Sequence, residues 1–262
     1  MAAPLTKPLG ACCFRTIPHS GTARGTWETI AGVETYVARP SSAPDAKVIL
    51  HFSDAFGASA VNSQLAMDYW ADAGFTVLGI EYFEGDTAGK HVGTPGWDGM
   101  AWATEKLRRA REVTPPWIDA VRARYGADVK YFAVGYCFGG SFIMDMVAQD
   151  WITAGAFAHP GFLDEDHFRN AKKPLLMSCP EDDFTFPLDL RRRAEDTLLA
   201  RPAASAAPYT IQVFSGASHG FATRADPAKR TEQWAKEEAA RTVVSFFDFY
   251  AQQPWTPPAP SA

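Results

Sequence analysis

A cysteine at a glycine-rich turn has the clearest chemical potential in this sequence. Cys137 lies at the centre of residues 135–140, GYCFGG, with the spacing G-x-C-x-G. An apolar stretch at 130–134 precedes the turn, and apolar residues at helical spacing follow it at 141–151. A nucleophile on a sharp turn between a strand and a helix is exposed at the end of the strand. The backbone N–H of the residue that follows it helps to form an oxyanion hole. The pattern predicts a nucleophilic thiol at Cys137; the alternative is a glycine-rich turn with a buried cysteine.

Two later segments could supply the base and the acid that a thiol nucleophile requires. An acidic turn, CPEDDFTFP, occupies residues 179–187, and SGASHGFA occupies residues 215–222. Each segment follows a predicted strand. Asp183 and His219 therefore come after Cys137 in the order nucleophile, acid, histidine, which is the order found in the α/β-hydrolases.

Each of these residues also has an interpretation without catalysis. His219 would then be a solvated loop histidine, and Asp183 would belong to an acidic surface turn, as we infer for Glu181 and Asp182. His159 follows another predicted strand and is a candidate for lining a ligand pocket. The remaining histidines and cysteines are interpreted as exposed (His19, His91), as a core histidine (His51) or as structural thiols (Cys12, Cys13, Cys179).

The segments between these residues alternate between strand and helix patterns. Helical spacing is found at 61–73, 141–151 and 230–250, with Trp234, Phe246 and Phe249 as the expected core anchors of the last helix. Short apolar stretches predict strands at 33–38, 48–52, 76–80, 130–134, 154–158, 174–178 and 210–214. This alternation predicts the α/β class, with a mostly parallel, doubly wound sheet flanked by helices.

The chain of 262 residues is long enough for one large α/β core, which we assign to residues 26–253. Residues 1–25 contain many turn formers and are predicted to form an irregular arm over this domain. Residues 254–262 are rich in proline and are predicted to be a flexible tail. The stretch from 81 to 114 is irregular in pattern, and we interpret residues 84–114 as a cap or lid loop beside the active site.

Composition excludes several classes of function. The formal net charge is -5 and no basic cluster is present, which argues against a nucleic-acid partner. No apolar run reaches the roughly 20 residues that span a bilayer, and the N-terminus lacks the apolar segment of a secretory signal. The four cysteines form no metal-binding pattern, so no metal or organic cofactor is expected. A reducing, cytoplasmic location fits best, because it would keep Cys137 as a thiol.

Together these motifs resemble the dienelactone hydrolase family, over about residues 25–249. The resemblance implies a Cys137–His219–Asp183 triad, with the D-x-x-x-P spacing selecting Asp183 over Asp182. The segments CC at 12–13 and HSG at 19–21, with Gly25, are closer to the fungal branch than to the bacterial one. The other segments that carry the resemblance are GYCFGG at 135–140, Asp183 to Pro187, His219 to Phe221 with Arg224, and DAFG at 54–57.

The resemblance implies an α/β-hydrolase fold and cleavage of a carboxylic ester or lactone through an acyl-thioester. The backbone N–H groups of Ala55 and Phe138 would form the oxyanion hole. Asp54 stands where the family usually has a glutamate that interacts with the resting thiol. Residues 81–86 are acidic where bacterial members have a substrate-binding arginine, which leaves Arg224 as the candidate anchor for a substrate anion.

Two alternatives remain open at the level of sequence. One is a thioesterase or acyl transferase that uses the same triad. The other is a non-catalytic small-molecule receptor with a hydrolase fold, against which an intact triad argues, although the fold alone does not decide between them. The expected partner is a small-molecule ester or lactone, with no nucleic acid and no membrane. The sequence leaves a homodimer open and does not identify the natural substrate.

Overall fold

A computed structural model of the chain describes residues 2–41, 46–203 and 206–257. Within them an eight-stranded sheet has the order β1-β2-β4-β3-β5-β6-β7-β8. The strands β1 and β2 are antiparallel to their neighbours, whereas the pairs from β4 through β3 to β8 are parallel. The strands are β1 (Thr26–Ile30), β2 (Val33–Ala38), β3 (Lys47–Phe52), β4 (Thr76–Ile80), β5 (Lys130–Tyr136), β6 (Ile152–Ala158), β7 (Leu175–Asp182) and β8 (Tyr209–Ser218).

Helices cover both faces of this sheet. The helices are α1 (Val61–Asp72), α2 (Gly99–Tyr125), α3 (Gly140–Val147), α4 (Glu165–Arg169), α5 (Leu188–Leu199), α6 (Phe221–Arg224) and α7 (Arg230–Gln252). Side chains of α2 and α3 pack in one apolar cluster, and side chains of α1 and α7 pack in a second cluster. Successive side chains of a strand point to opposite faces, so β3 places Leu50 in the first cluster and Ile49 in the second. The predicted doubly wound α/β architecture is confirmed.

The predicted strands are all present, and β5, β7 and β8 run further than their apolar patterns indicated. The sequence missed β1 and the helices α2, α4, α5 and α6. The irregular interpretation of residues 84–114 is wrong from Gly99 onward, because α2 begins there. Asp98 stabilises this start by accepting hydrogen bonds from the N–H groups of Met100 and Ala101, each at 3.0 Å. A carboxylate in this position satisfies N–H groups that have no partner within the helix.

The buried face of α7 also differs from the prediction. Trp234 and Phe249 are each 53% exposed, and Phe246 is only partly buried. The face against the sheet consists instead of residues four positions apart: Ala235, Ala239, Val243 and Phe247. The small side chains of Ala235 and Ala239 let the helix approach the sheet closely, and Phe247 is buried beyond them. Trp234 and Phe249 were therefore a misleading guide to the orientation of the helix.

The N-terminal arm, residues 2–25, lies across the edge of the sheet at which the parallel strands end. Its backbone bonds to two loops there, with Leu5 N donating to Leu163 O at 2.8 Å and Lys7 N donating to Thr185 O at 2.7 Å. Leu9 of the arm is also buried. Of the predicted tail, residues 258–262 lie outside the described part of the chain. Over the described residues, no helix has both the length and the apolar character needed to cross a bilayer.

Candidate active site

The turn after β5 holds Cys137 in an unusual backbone conformation. Its φ angle is +49°, a value that non-glycine residues rarely adopt. Glycines around it allow the turn to close. A Cβ atom at Gly135 would lie 2.6 Å from the carbonyl oxygen of Gly139, and one at Gly139 would overlap the carbonyl oxygen of Phe52. The glycine spacing in the sequence therefore has a steric cause, and the strained turn presents the cysteine at the end of the strand.

Three predicted residues meet at the carboxyl ends of β5, β7 and β8. His219 Nε2 lies 3.2 Å from Cys137 Sγ, and His219 Nδ1 lies 2.9 Å from Asp183 Oδ1. All three residues are buried, and Cys137 has no exposed surface. Asp183 directly follows the last residue of β7, while Asp182 is exposed. This arrangement has the connectivity of a nucleophile, a base and an orienting acid.

Thr185 fixes the orientation of Asp183, and sequence reasoning did not select it. Its N–H donates to Asp183 Oδ1 at 2.9 Å, and its hydroxyl lies 2.8 Å from the same oxygen. Phe186 N donates to this oxygen as well, at 3.2 Å. A carboxylate that bonds backbone two residues onward is a common turn motif, so the D-x-T spacing could have indicated this contact.

The electrostatic environment of His219 favours its protonated form. Burial alone would disfavour an imidazolium, but the hydrogen bonds to Asp183 and Cys13 outweigh it and raise the pKa of His219 to about 10. A protonated histidine beside a thiol stabilises the thiolate. His219 is therefore suited to be an imidazolium between the carboxylate of Asp183 and the sulfur atoms of Cys13 and Cys137.

The structure places a second thiol at the same histidine. Cys13, interpreted from the sequence as structural, has no exposed surface, and its Sγ lies 3.4 Å from His219 Nε2. It belongs to a short 3-10 turn of the arm, Ala11–Phe14. The two residues are 206 positions apart, so no local spacing could have indicated the contact.

Asp54 and Arg224 form a buried ion pair beside the arm. Asp54 Oδ2 accepts from Arg224 Nη1 at 3.0 Å and from the hydroxyl of Thr223 at 2.9 Å, while Oδ1 accepts from Phe56 N at 2.9 Å. Arg224 Nη1 also donates to the carbonyl oxygen of Cys13 at 3.2 Å. In the described part of the chain, the hydrogen bonds of Asp54 thus go to these groups and not to the thiol that the family resemblance suggested.

His159 lies against His219. Its ring centre is 4.9 Å from that of His219, and the residue is completely buried. Burial, together with the charges of His219 and Arg224, holds the pKa of His159 well below 6.5. Neither ring nitrogen has a hydrogen-bond partner among the described residues. His159 is therefore a neutral wall of the site.

The two segments predicted to supply the oxyanion hole are neighbours. Ala55 follows β3 and Phe138 follows Cys137, and the close approach of Gly139 to Phe52 holds the two segments together. Aromatic rings line this region, with Tyr82 5.3 Å and Phe83 4.9 Å from Phe138 between ring centres. The oxyanion role of Ala55 and Phe138 remains a prediction.

The sheet, its flanking helices and the strained turn at Cys137 define an α/β-hydrolase fold. The sequence model of the Dienelactone hydrolase family matches residues 33–251. Two relatives from Gibberella moniliformis, Dienlactone hydrolase 1 and Dienlactone hydrolase 2, are 35% and 33% identical to this chain. The alignments cover 94% and 95% of this chain and 95% and 98% of those proteins.

A solved structure of a dienelactone hydrolase from Anabaena variabilis shares the fold. It has a TM-score of 0.62 at 14% identity, and the match covers 88% of this chain and 99% of that one. The chain belongs to the dienelactone hydrolase family, as its sequence motifs indicated, and is a carboxylic ester hydrolase.

Proposed function

We propose that this protein cleaves a small carboxylic ester or lactone through an acyl-thioester on Cys137. The observation that carries the proposal is the continuous contact from Cys137 Sγ through His219 to Asp183, at 3.2 and 2.9 Å. A binding protein would have no need to align a thiol, an imidazole and a carboxylate in a buried cleft. The alignment meets the geometric requirement for nucleophilic catalysis.

In the first step, the Cys137 thiolate attacks the carbonyl carbon and the carbonyl oxygen becomes negatively charged. The N–H groups of Phe138 and Ala55 stabilise that oxygen, and each such donor lowers a barrier by roughly 3 kcal/mol in related sites. The His219 imidazolium then gives its proton to the leaving oxygen as the carbon–oxygen bond breaks. This leaves the acyl group on sulfur and His219 neutral.

In the second step, neutral His219 takes a proton from water as that water attacks the thioester carbon. The carbon–sulfur bond breaks, the carboxylic acid leaves, and Cys137 returns to its starting form. Asp183 stabilises the imidazolium that forms in this step and holds Nδ1–H toward itself. No metal or organic cofactor takes part in either step.

The walls of the site favour a small, partly apolar substrate with one anionic group. Tyr82 and Phe83 pack against Phe138, the residue after Cys137, so the surroundings of the turn are apolar. Arg224 retains one buried nitrogen, Nη2, that has no partner within the described residues. We assign this nitrogen to a substrate carboxylate, with Asp54 holding the guanidinium in place. A cytoplasmic setting belongs to the proposal, because a thiol nucleophile requires reducing conditions.

The test is active-site titration with an activated aryl ester, followed by mass spectrometry of the acylated protein. We expect a burst of about one leaving group per chain and an acyl group on Cys137. Cys179→Ala is the matched control, since Cys179 is a buried thiol outside the candidate triad. Acylation of a residue other than Cys137 would contradict the proposal. A panel that compares dienelactones with simple aryl esters would then identify the substrate class.

A further inference from the structure

Two thiols and an imidazole from three distant parts of the chain converge at one point. Cys13 comes from the arm, Cys137 from the turn after β5, and His219 from the segment after β8. The two Sγ atoms and a ring nitrogen of the histidine lie within 4.8 Å of one another. Both sulfurs contact the same nitrogen, Nε2, at 3.4 and 3.2 Å.

These separations match those of ligands around one zinc ion. With Zn–S bonds of about 2.3 Å and Zn–N bonds of about 2.05 Å, tetrahedral geometry places sulfur about 3.6 Å from nitrogen and the two sulfurs about 3.8 Å apart. The observed contacts of 3.4 and 3.2 Å are slightly shorter. Small rotations of the side chains are therefore enough to surround an ion.

The contacts around His219 also have the form of a zinc site. A histidine that binds a metal usually donates its other ring N–H to a carboxylate, which fixes its tautomer. Asp183 Oδ1 lies 2.9 Å from His219 Nδ1 and leaves Nε2 for the metal. Two thiolates balance the charge of a divalent ion, so the ion and its three ligands together would carry no net charge in this buried position.

We propose that Cys13, Cys137 and His219 form a zinc-binding site that reversibly blocks the enzyme. Sulfur and imidazole ligands favour zinc over magnesium or calcium, which prefer oxygen. Both cysteines bind as thiolates and their protons pass to solvent, with no change of oxidation state. The bound ion accepts the electron pairs that Cys137 and His219 need for catalysis. Through Cys13 it also holds the arm over the site. The inference goes beyond the proposed hydrolysis, since metal binding requires no turnover.

The test uses the full chain, kept reduced with a phosphine and freed of metal by dialysis. The affinity and stoichiometry of zinc binding are measured by competition with a chromogenic chelator. Cobalt is used as a spectroscopic probe of thiolate ligation. We expect about one zinc ion per chain with submicromolar affinity and a thiolate-to-cobalt charge-transfer band. Cys13→Ser should weaken zinc binding by about a hundredfold or more, because a hydroxyl is a poor zinc ligand. Cys179→Ser, the matched control, should bind as the wild type does.

Zinc binding of Cys13→Ser equal to that of the wild type would overturn the inference, as would the absence of a thiolate–cobalt band in the wild type. Thermal melting checks that the variant is folded. If Cys13→Ser does not fold, Cys137→Ser supplies the same comparison, because it removes another of the three ligands. Zinc should also inhibit ester hydrolysis, with recovery on chelation. A protein that binds zinc at these residues but never hydrolyses esters would refute the proposed function alone.

Discussion

The substitution Asp183→Asn separates the charge of Asp183 from its hydrogen-bond geometry. Oδ1 accepts from Thr185 N at 2.9 Å and from Phe186 N at 3.2 Å, as well as lying 2.9 Å from His219 Nδ1. These two backbone N–H groups would hold the amide oxygen of an asparagine at the Oδ1 position. His219 would therefore keep an acceptor for Nδ1–H and lose only the negative charge.

The expected loss follows from that difference. A hydrogen bond to a charged acceptor contributes about 1–1.5 kcal/mol more than one to a neutral acceptor. Counted instead as an attraction between two charges, the same loss is at most about 4 kcal/mol at an effective dielectric constant near 20. The value of kcat/KM should thus fall by roughly 10- to 1,000-fold, since about 1.4 kcal/mol corresponds to tenfold. In serine proteases, kcat falls about 10⁴-fold when the equivalent change of aspartate to asparagine inverts the histidine tautomer.

The assay is steady-state hydrolysis of the best ester across acid and alkaline pH. The alkaline limb of kcat/KM, set by loss of the His219 imidazolium, should move to lower pH in Asp183→Asn, because the carboxylate raises the pKa of His219. Asp182→Asn is the matched control, since it makes the same change one residue earlier at an exposed position. A loss of about 10⁴-fold in Asp183→Asn would show that the amide nitrogen faces His219. A larger loss in Asp182→Asn would show that the acid is misassigned.

Cys137→Ala should abolish hydrolysis and Cys137→Ser should retain a small fraction, since an alkoxide forms less readily than a thiolate; near wild-type rates in Cys137→Ala would reassign the nucleophile. Asp54→Asn leaves Arg224 without its buried counter-charge, so alkylation of Cys137 by iodoacetamide at neutral pH should be several-fold faster. An unchanged rate would show that the charge of Asp54 does not affect the reactivity of the thiol. Arg224→Gln should raise KM about tenfold or more for carboxylate-bearing esters only; equal effects on matched neutral esters would remove Arg224 as the anchor. The free energy of unfolding should decrease as pH rises from 6.5 to about 10, because the raised pKa of His219 favours the folded state only while that residue is protonated; an increase in urea melts over this range would contradict it.

The sequence predicted the residues that motifs can encode. Cys137, Asp183 and His219 each lie within a few residues of a strand end, and a parallel sheet brings such ends to one edge. Their convergence could therefore be inferred from the order of strands and motifs. The presence of Cys13 at the same place could not be inferred, because an irregular arm has no periodicity from which its path over the sheet can be deduced.

Packing explains the errors in the helices. The glycines and the single proline at residues 85–99 obscured the start of α2, although its cap, Asp98, is a local signal for that start. In α7 the face against the sheet combines Ala235 and Ala239 with Phe247, and Trp234 remains exposed. Aromatic side chains predict burial only when the neighbouring surface has room for them. Which face of a helix fits is decided by the sheet, and this information is absent from the helix sequence.

The N-terminal arm covers the site, so substrate entry requires free energy to move the arm away. Cys137 has no exposed surface, and Gly161, whose N–H donates to the carbonyl oxygen of Cys137 at 2.8 Å, lies under Leu9 of the arm. Moving only the part of the arm around Leu9 and Cys13 exposes both of these buried side chains, at about 2 kcal/mol for the leucine alone. It also breaks the contacts of Cys13 with Arg224 and His219, at about 1 kcal/mol each. An opening of at least about 4 kcal/mol populates the open form at roughly 0.1% or less. Because Arg224 donates to both Asp54 and the arm, a substrate anion that binds Arg224 competes with the contact that keeps the arm closed.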